Sequence, residues 1–334
     1  MRLENILALT HGTLINEPFI REFTNVVFKA KTVKRGDLFL AFDEAEIEEA
    51  IVNGAYGIMF CKPTQISDSE IAWIKVSDLE EALKRILRFK LIDKEIVVYE
   101  CSEVILKLAL QVMTEPNFFA LSGDLQSNFS KLWEIESACT VLFSPTLLSR
   151  DLFTNIQTLS TNALEKINIV EQTLFETSFI YDNIFYERQL ISPFFIPYLE
   201  ILFHFFKRNK INFRLRKFMP IDHFEPVFTN KNFEIKEFGT SDKVLIFEKS
   251  VELMERQMSF LQKEAAWAKL LYILPISYEK SHSDESSSIV YYKNINEINN
   301  ILRGHSFHFA FIVGADKSIL QKPLVSQVQL QLEF

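Results

Sequence analysis

The chain has 334 residues, 48% of them hydrophobic and 24% charged, with a net charge of −8. That length allows two or three domains with a sizeable buried core. The acidic balance disfavours nucleic acid as a partner, and no run reaches the roughly 18 consecutive apolar residues of a membrane span.

In chain order, residues 3–9 have the spacing of a short amphipathic helix, and 12–16 and 25–29 are β-rich. Val33-Lys34-Arg35-Gly36-Asp37-Leu38-Phe39-Leu40-Ala41-Phe42 reads as a turn feeding a buried strand. Residues 44–53 place Ile47, Ala50 and Ile51 on one helical face, and Gly54 stands where a C-cap glycine belongs. Strands are expected at 57–61 and 71–76. A helix over 78–89 follows, with Ser77 as its N-cap and Glu80 completing a capping box.

From Lys94 the alternation restarts: strand 95–99, helix 102–113, strand 117–121, helix 124–137 and strand 139–143. This is the βαβ rhythm of a parallel sheet. Beyond Asp151 the sequence predicts a strand over 179–190 and a strongly apolar helix over 193–206. A basic patch follows, Lys207-Arg208-Asn209-Lys210 with Arg214, Arg216 and Lys217. It reads first as a solvated helix end whose cations complement the macrodipole, with an anionic ligand or acidic partner as the alternative. From Phe224 onward strands are expected at 233–238, 243–247, 269–275 and 308–313, and helices at 250–263 and 294–303. Residues 281–288 form a polar loop by composition.

Phenylalanine is frequent, at 32 residues, against 8 glycines, which points to a Phe-rich core. Cys61, Cys101 and Cys139 are odd in number and far apart, as expected of reduced thiols in a cytoplasm. The N-terminal residues lack the pattern of a signal peptide. His305 and His308 lie three apart, so on a strand they face opposite sides, and no metal site is expected from them.

Val33, Gly36-Asp37-Leu38-Phe39, Ala41, Ala50, Gly54-Ala55 and Val76-Ser77-Asp78 follow one another in an order that resembles the Mur ligases of peptidoglycan-precursor synthesis. The similarity is to the types that add the third residue or the D-Ala-D-Ala dipeptide. It implies a bacterial, α/β, three-domain architecture. A small N-terminal α/β domain (1–91) would be followed by a trimmed central P-loop-like parallel-sheet domain (92–223). A C-terminal Rossmann-like α/β domain (224–334) would complete it.

The departures from that family bear on function. Its Asp-Ser-Arg falls on Lys29-Ala30-Lys31, and the loop that would run toward the nucleotide sugar is deleted between Phe42 and Glu44. Lys31 retains a point charge without the bidentate fork of arginine. Lys29, Lys31, Gly36 and Asp37 are the weak ligand-binding candidates that remain. In the family the central domain carries Gly-x-x-Gly-Lys-Thr, whose backbone N–H groups cradle phosphates while Lys and Thr serve charge and Mg²⁺. The corresponding loop here is Leu121-Ser122-Gly123-Asp124-Leu125-Gln126-Ser127-Asn128. Ser127 and Asn128 stand for the lysine and threonine, and Asp124 adds an acid where phosphate would lie. In the last domain Val244–Met254 occupies the strand-to-helix position, without the family's Asn-Pro.

The sequence therefore predicts a non-catalytic Mur ligase-like protein without cofactor, metal or catalytic residues. Its expected role is binding, regulation or scaffolding in peptidoglycan-precursor synthesis, in the cytoplasm. The partner would be another protein of that synthesis or a UDP-sugar precursor. The alternative is an active enzyme, either a ligase with a rebuilt ATP loop or another chemistry on the same scaffold. It predicts a concave site with convergent polar groups and shifted acids near Asp124 and Glu248.

Overall fold

The structure, a computed structural model, describes residues 1–320 except 63, 136–137, 161–164, 238–239 and 279–287. The chain divides into two compact units, residues 1–106 with 115–159 and residues 107–114 with 160–334. Both are α/β, in the multi-domain pattern expected.

The first unit opens with helix α1 (Leu3–Thr10), strands β1 (Thr13–Leu14), β2 (Val26–Val27) and β3 (Leu38–Leu40), and helix α2 (Ile47–Val52). Strands β4 (Gly57–Phe60) and β5 (Ala72–Lys75) and helix α3 (Leu79–Leu91) follow. The sheet order is β1-β5-β4-β3-β2, parallel apart from β1. Leu38-Phe39-Leu40 and Ile58-Met59-Phe60 are continuous apolar runs because both sheet faces are covered. Leu38, Leu40, Met59 and Ile74 join Leu3 and Ile6 of α1 and Leu83, Ile86 and Leu87 of α3. Phe39, Ile58, Phe60 and Trp73, on the other face, join Ile47 and Ala50 of α2. The two-residue side-chain period thus feeds two cores.

One detail corrects the expected capping. Asp78, not Ser77, caps α3, its Oδ1 accepting from the N–H groups of Glu80 at 2.7 Å and Glu81 at 3.0 Å. A carboxylate one position nearer the helix reaches both orphan donors and suits the positive end of the dipole.

The same unit then carries β6 (Ile96–Glu100), β7 (Phe118–Leu121), α5 (Leu125–Trp133), β8 (Cys139–Phe143) and β9 (Ile156–Thr158), while α4 (Glu103–Val112) begins in it and continues in the second unit. Their sheet, β7-β8-β6-β9, is wholly parallel. The expected helix 124–137 ends at Trp133, and residues 136–137 lie outside the described residues.

The second unit begins with an antiparallel sheet of β10 (Asn168–Gln172), β11 (Thr177–Tyr181) and β12 (Ile184–Gln189). The single strand expected over 179–190 is in fact a hairpin. Asp182 and Asn183 at its turn have φ of 48° and 61°. Two consecutive positive φ values are what a two-residue hairpin of type I′ requires, and Asp and Asn tolerate them. Helix α6 (Ile196–Arg208) lays Phe203 against Tyr181, ring centroids 4.5 Å apart.

Next come β13 (Glu225–Thr229), β14 (Lys243–Glu248), α7 (Met254–Glu264), β15 (Leu270–Pro275), β16 (Ser288–Tyr292), α8 (Ile298–Gly304) and β17 (Phe309–Val313). They build the sheet β13-β14-β17-β15-β16, parallel except for β13. The strand expected at 233–238 does not form: Phe233 sits at φ 66° in a turn, and 238 lies outside the described residues. Edge strand β13 replaces it. Pro226 is accommodated there because an edge strand has one side without ladder bonds. Of the polar loop 281–288, residues 281–287 lie outside the described residues, and Ser288 opens β16.

Candidate functional site

Two places carry the chemistry that the sequence singles out: the loop before α5 in the first unit and the carboxyl end of β14 in the second. Gly123, at φ +105°, makes the turn out of β7, and Asp124 takes the N-cap of α5. Asp124 Oδ1 accepts from the Ser127 N–H at 2.8 Å and from the Ser127 hydroxyl at 2.5 Å. Those two hydrogen bonds hold the Asp124 carboxyl below the usual carboxylate range. Asn128 is fully buried, and its amide Nδ2 donates to the carbonyls of Ser122, Gly123 and Asp124 at 3.3, 3.1 and 2.9 Å.

The sequence thus places an anion of its own at the N-terminus of α5. A helix start is a ready anion site because its first N–H groups are unpaired and its dipole is positive. Here a carboxylate occupies that position, and the Asn128 side chain ties the loop's carbonyls together. Asp124→Ala should lower stability by about 1 kcal/mol at pH 7. Because the folded carboxyl is lowered, its contribution is complete above the unfolded pKa of about 3.9 and fades as pH falls below it through the folded value. Urea denaturation of both proteins across pH 3–7 checks this.

The remaining ligand-binding candidates lie apart in role. Lys29 and Lys31 are exposed on either side of buried Ala30, whose N–H donates to Glu46 Oε2 at 2.7 Å. Gly36 (φ +99°) and Asp37 form the turn into β3. A Cβ on Gly36 would meet Thr24 Oγ1 at 2.6 Å. Asp37 is buried; its Oδ2 accepts from the Lys34 N–H at 2.9 Å and its Oδ1 has no hydrogen-bond partner.

In the second unit, Glu248 ends β14 and is completely buried. Val244-Leu245-Ile246-Phe247 is an apolar strand, so a glutamate at its end must find donors within the protein. It finds four. Oε1 accepts from His223 Nδ1 at 2.8 Å and the Ser250 N–H at 2.8 Å. Oε2 accepts from the Phe224 N–H at 3.1 Å and Gln257 Nε2 at 2.6 Å. The other ring nitrogen of His223 faces Lys107 Nζ at 3.3 Å, and Lys107 is paired with Asp222. Burial pushes the Asp222 carboxyl up, but the Lys107 ammonium more than offsets it, and the net position is below the usual range. Asp222, Lys107, His223 and Glu248 thus form a continuous chain of polar contacts.

His223 also lines a cavity of about 220 Å³ together with Leu108, Ile191, Phe195, Phe218 and Phe224. Ser192 is the other polar residue of its wall, and that side chain caps the turn before α6 by accepting from the Phe194 N–H. No set of polar groups converges on this space. Nothing in the sequence pattern around His223 marks it as part of a polar network. The signal for more was the glutamate closing an apolar strand.

Elsewhere, the basic patch is partly committed: Lys207, in the last turn of α6, contacts Glu165 Oε2 at 2.8 Å and Asp182 Oδ1 at 2.9 Å. His305 Nδ1 lies 2.8 Å from the Ile301 carbonyl, and His308 Nδ1 accepts from the Lys269 N–H at 2.9 Å. Burial pushes the thiols of Cys101 and Cys139 up, away from the reactive thiolate. No helix among the described residues is long and apolar enough to cross a membrane.

No protein-family model matches the chain, and no curated protein matches it by sequence. Solved structures do match. A crystal structure of MurF from Acinetobacter baumannii superposes with a TM-score of 0.54 at 10% identity, over 96% of this chain and 98% of that one. MurF ligase from Thermotoga maritima in complex with ADP aligns at TM-score 0.46 and 12% identity, over 89% and 95% of the two chains. At such identities the likeness is one of fold: the chain has a Mur ligase-like fold.

Proposed function

We propose that this protein is a Mur ligase-like binding protein that does not use ATP, with a regulatory or scaffolding role in peptidoglycan-precursor synthesis. On this reading residues 1–91, 92–223 and 224–334 correspond to the three domains of a Mur ligase. The observation that carries it is the loop before α5. Asp124 fills the anion position, Ser127 is spent on Asp124, and Asn128 is buried beneath the loop. A phosphate arriving there would meet a carboxylate, with neither lysine nor threonine to receive it.

The competing enzymatic reading draws no support from the two acids it needs. Asp124 is a helix cap, and Glu248 has four internal donors beside an apolar cavity. A general acid or base must reach a substrate proton; Glu248 is wholly buried, and the exposed Asp124 carboxylate is engaged by Ser127 as the cap of α5.

The partner on this reading is a UDP-sugar precursor or another protein of the same synthesis, in the cytoplasm. The test is a thermal-shift panel of UDP, UDP-MurNAc peptides and ATP–Mg²⁺, paired with an assay for amide-bond formation. A ligand that binds the native state at 100 times its Kd stabilises it by about 2.7 kcal/mol. A shift with a UDP-MurNAc peptide and no new amide bond supports the proposal. Mg²⁺-dependent ATP binding with amide-bond formation overturns it.

A further inference from the structure

We propose that the second unit carries a separate site for an organic ammonium group, an aromatic box at the amino ends of β14 and β17. The box is a cavity of about 450 Å³ whose wall includes Phe175, Phe228, Trp267, Phe309 and Glu264. Val244 and Phe309, paired in the β14–β17 register, form its floor at the start of the two strands. It is thus built at the opposite strand ends from Glu248.

Its rings come from four separate parts of the chain. Phe175 is projected from the β10–β11 turn, where Thr173 Oγ1 accepts from the N–H groups of Phe175 and Glu176 at 3.2 and 3.0 Å. Phe228 comes from β13 and Phe309 from β17. Trp267 stands in the turn after α7, closed by the Ala268 N–H on the Ala265 carbonyl at 2.9 Å. Trp267 is 75% exposed, an unusual position for the largest apolar side chain.

The geometry selects the ligand class. Phe175 and Phe228 stand edge to face at 88°, and Trp267 and Phe309 at 76°, with centroids 5.8 and 6.0 Å apart. Rings at right angles wall a box around a compact head, whereas a sugar ring prefers one flat platform. Aromatic faces are electronegative, so a box of them attracts a cation. Charge agrees. Among the described residues Glu264 is the only ionisable one in the wall, and no Lys or Arg lines it. Its carboxylate touches Gln172 Nε2 at 3.3 Å and the largely exposed Lys263 at 3.4 Å, a surface pair of little strength that an arriving ammonium can replace. The His308 ring beside Trp267 is held by a hydrogen bond accepted at Nδ1 from the Lys269 N–H.

The experiment is isothermal titration of the full chain with choline and, as control, 3,3-dimethylbutan-1-ol, which has the same shape without charge. Choline should bind saturably and about tenfold or more tightly than the alcohol. Trp267→Ala should weaken choline by about tenfold, Trp267→Phe should retain most of the affinity, and Glu264→Gln should weaken it several-fold. Both side chains are at the surface, so melting temperatures should stay near the parent value. Absence of saturable choline binding, equal binding of the alcohol, or full affinity in Trp267→Ala would each overturn the proposal. None of these outcomes depends on whether the protein binds a peptidoglycan precursor.

Discussion

Replacing Glu248 by alanine should destabilise the second unit by about 3–5 kcal/mol. The carboxylate is fully buried and is the acceptor for the N–H groups of Phe224 and Ser250, for Gln257 Nε2 and for His223 Nδ1. Removing it leaves three buried donors and one part-buried donor without this acceptor and opens the Asp222–Lys107–His223 chain at one end. The loss of a few kcal/mol is large against a total stability of roughly 5–15 kcal/mol. Lys249→Ala next to it removes a half-exposed ammonium whose nearest carboxylates, on Asp222 and Asp316, are 3.6 and 3.8 Å away. That change should cost less than about 1 kcal/mol. Urea denaturation of the two variants checks the contrast. A Glu248→Ala protein within about 1 kcal/mol of the parent would show that the four hydrogen bonds do not hold this end of the sheet.

The second large effect is expected from Asn128→Asp, an isosteric change in the loop before α5. The amide Nδ2 that donates to three carbonyls becomes an oxygen facing them. An ionised carboxylate buried against carbonyl oxygens should cost about 3 kcal/mol or more. Such a group favours its protonated form when folded, so its folded pKa is raised. The penalty is full above that raised value and is relieved as pH falls through it, when the acid regains a donor. The difference in urea midpoint from the parent should therefore shrink from pH 8 to pH 5. Equal midpoints at pH 8 would remove the closing role assigned to Asn128.

Much of the fold was legible where the side-chain pattern is strong. Leu38-Phe39-Leu40 and Val141-Leu142-Phe143 pair with parallel neighbours and read as uninterrupted apolar runs. Helices such as α3 and α6 carry apolar residues at helical spacing. What was missed has local physical causes. The hairpin β11–β12 hides its turn in Asp182-Asn183, which lacks the glycine that usually marks it. Strand β13 contains Pro226, a residue that argues against a strand until the strand is known to lie at an edge. The exposed residues of β10 give no apolar alternation to detect.

The candidate site was legible only by halves. That no Gly-Lys-Thr run stands here could be read residue by residue from Gly123 to Asn128, but not that Asp124 caps α5 or that Asn128 is buried beneath the loop. The Glu248–His223 pair joins residues 25 apart in sequence, and Lys107 adds a partner 116 residues from His223. Neither distance leaves a periodic trace. The box around Trp267 draws its rings from four segments and is equally invisible in one dimension.

On the proposed reading, the N-terminus of α5 that would receive a nucleotide phosphate is occupied by the Asp124 carboxylate. Isothermal titration of the full chain with ATP in the presence of Mg²⁺ tests it most directly. No saturable binding up to millimolar ATP is the expected result, and micromolar binding that disappears when Mg²⁺ is chelated would contradict it.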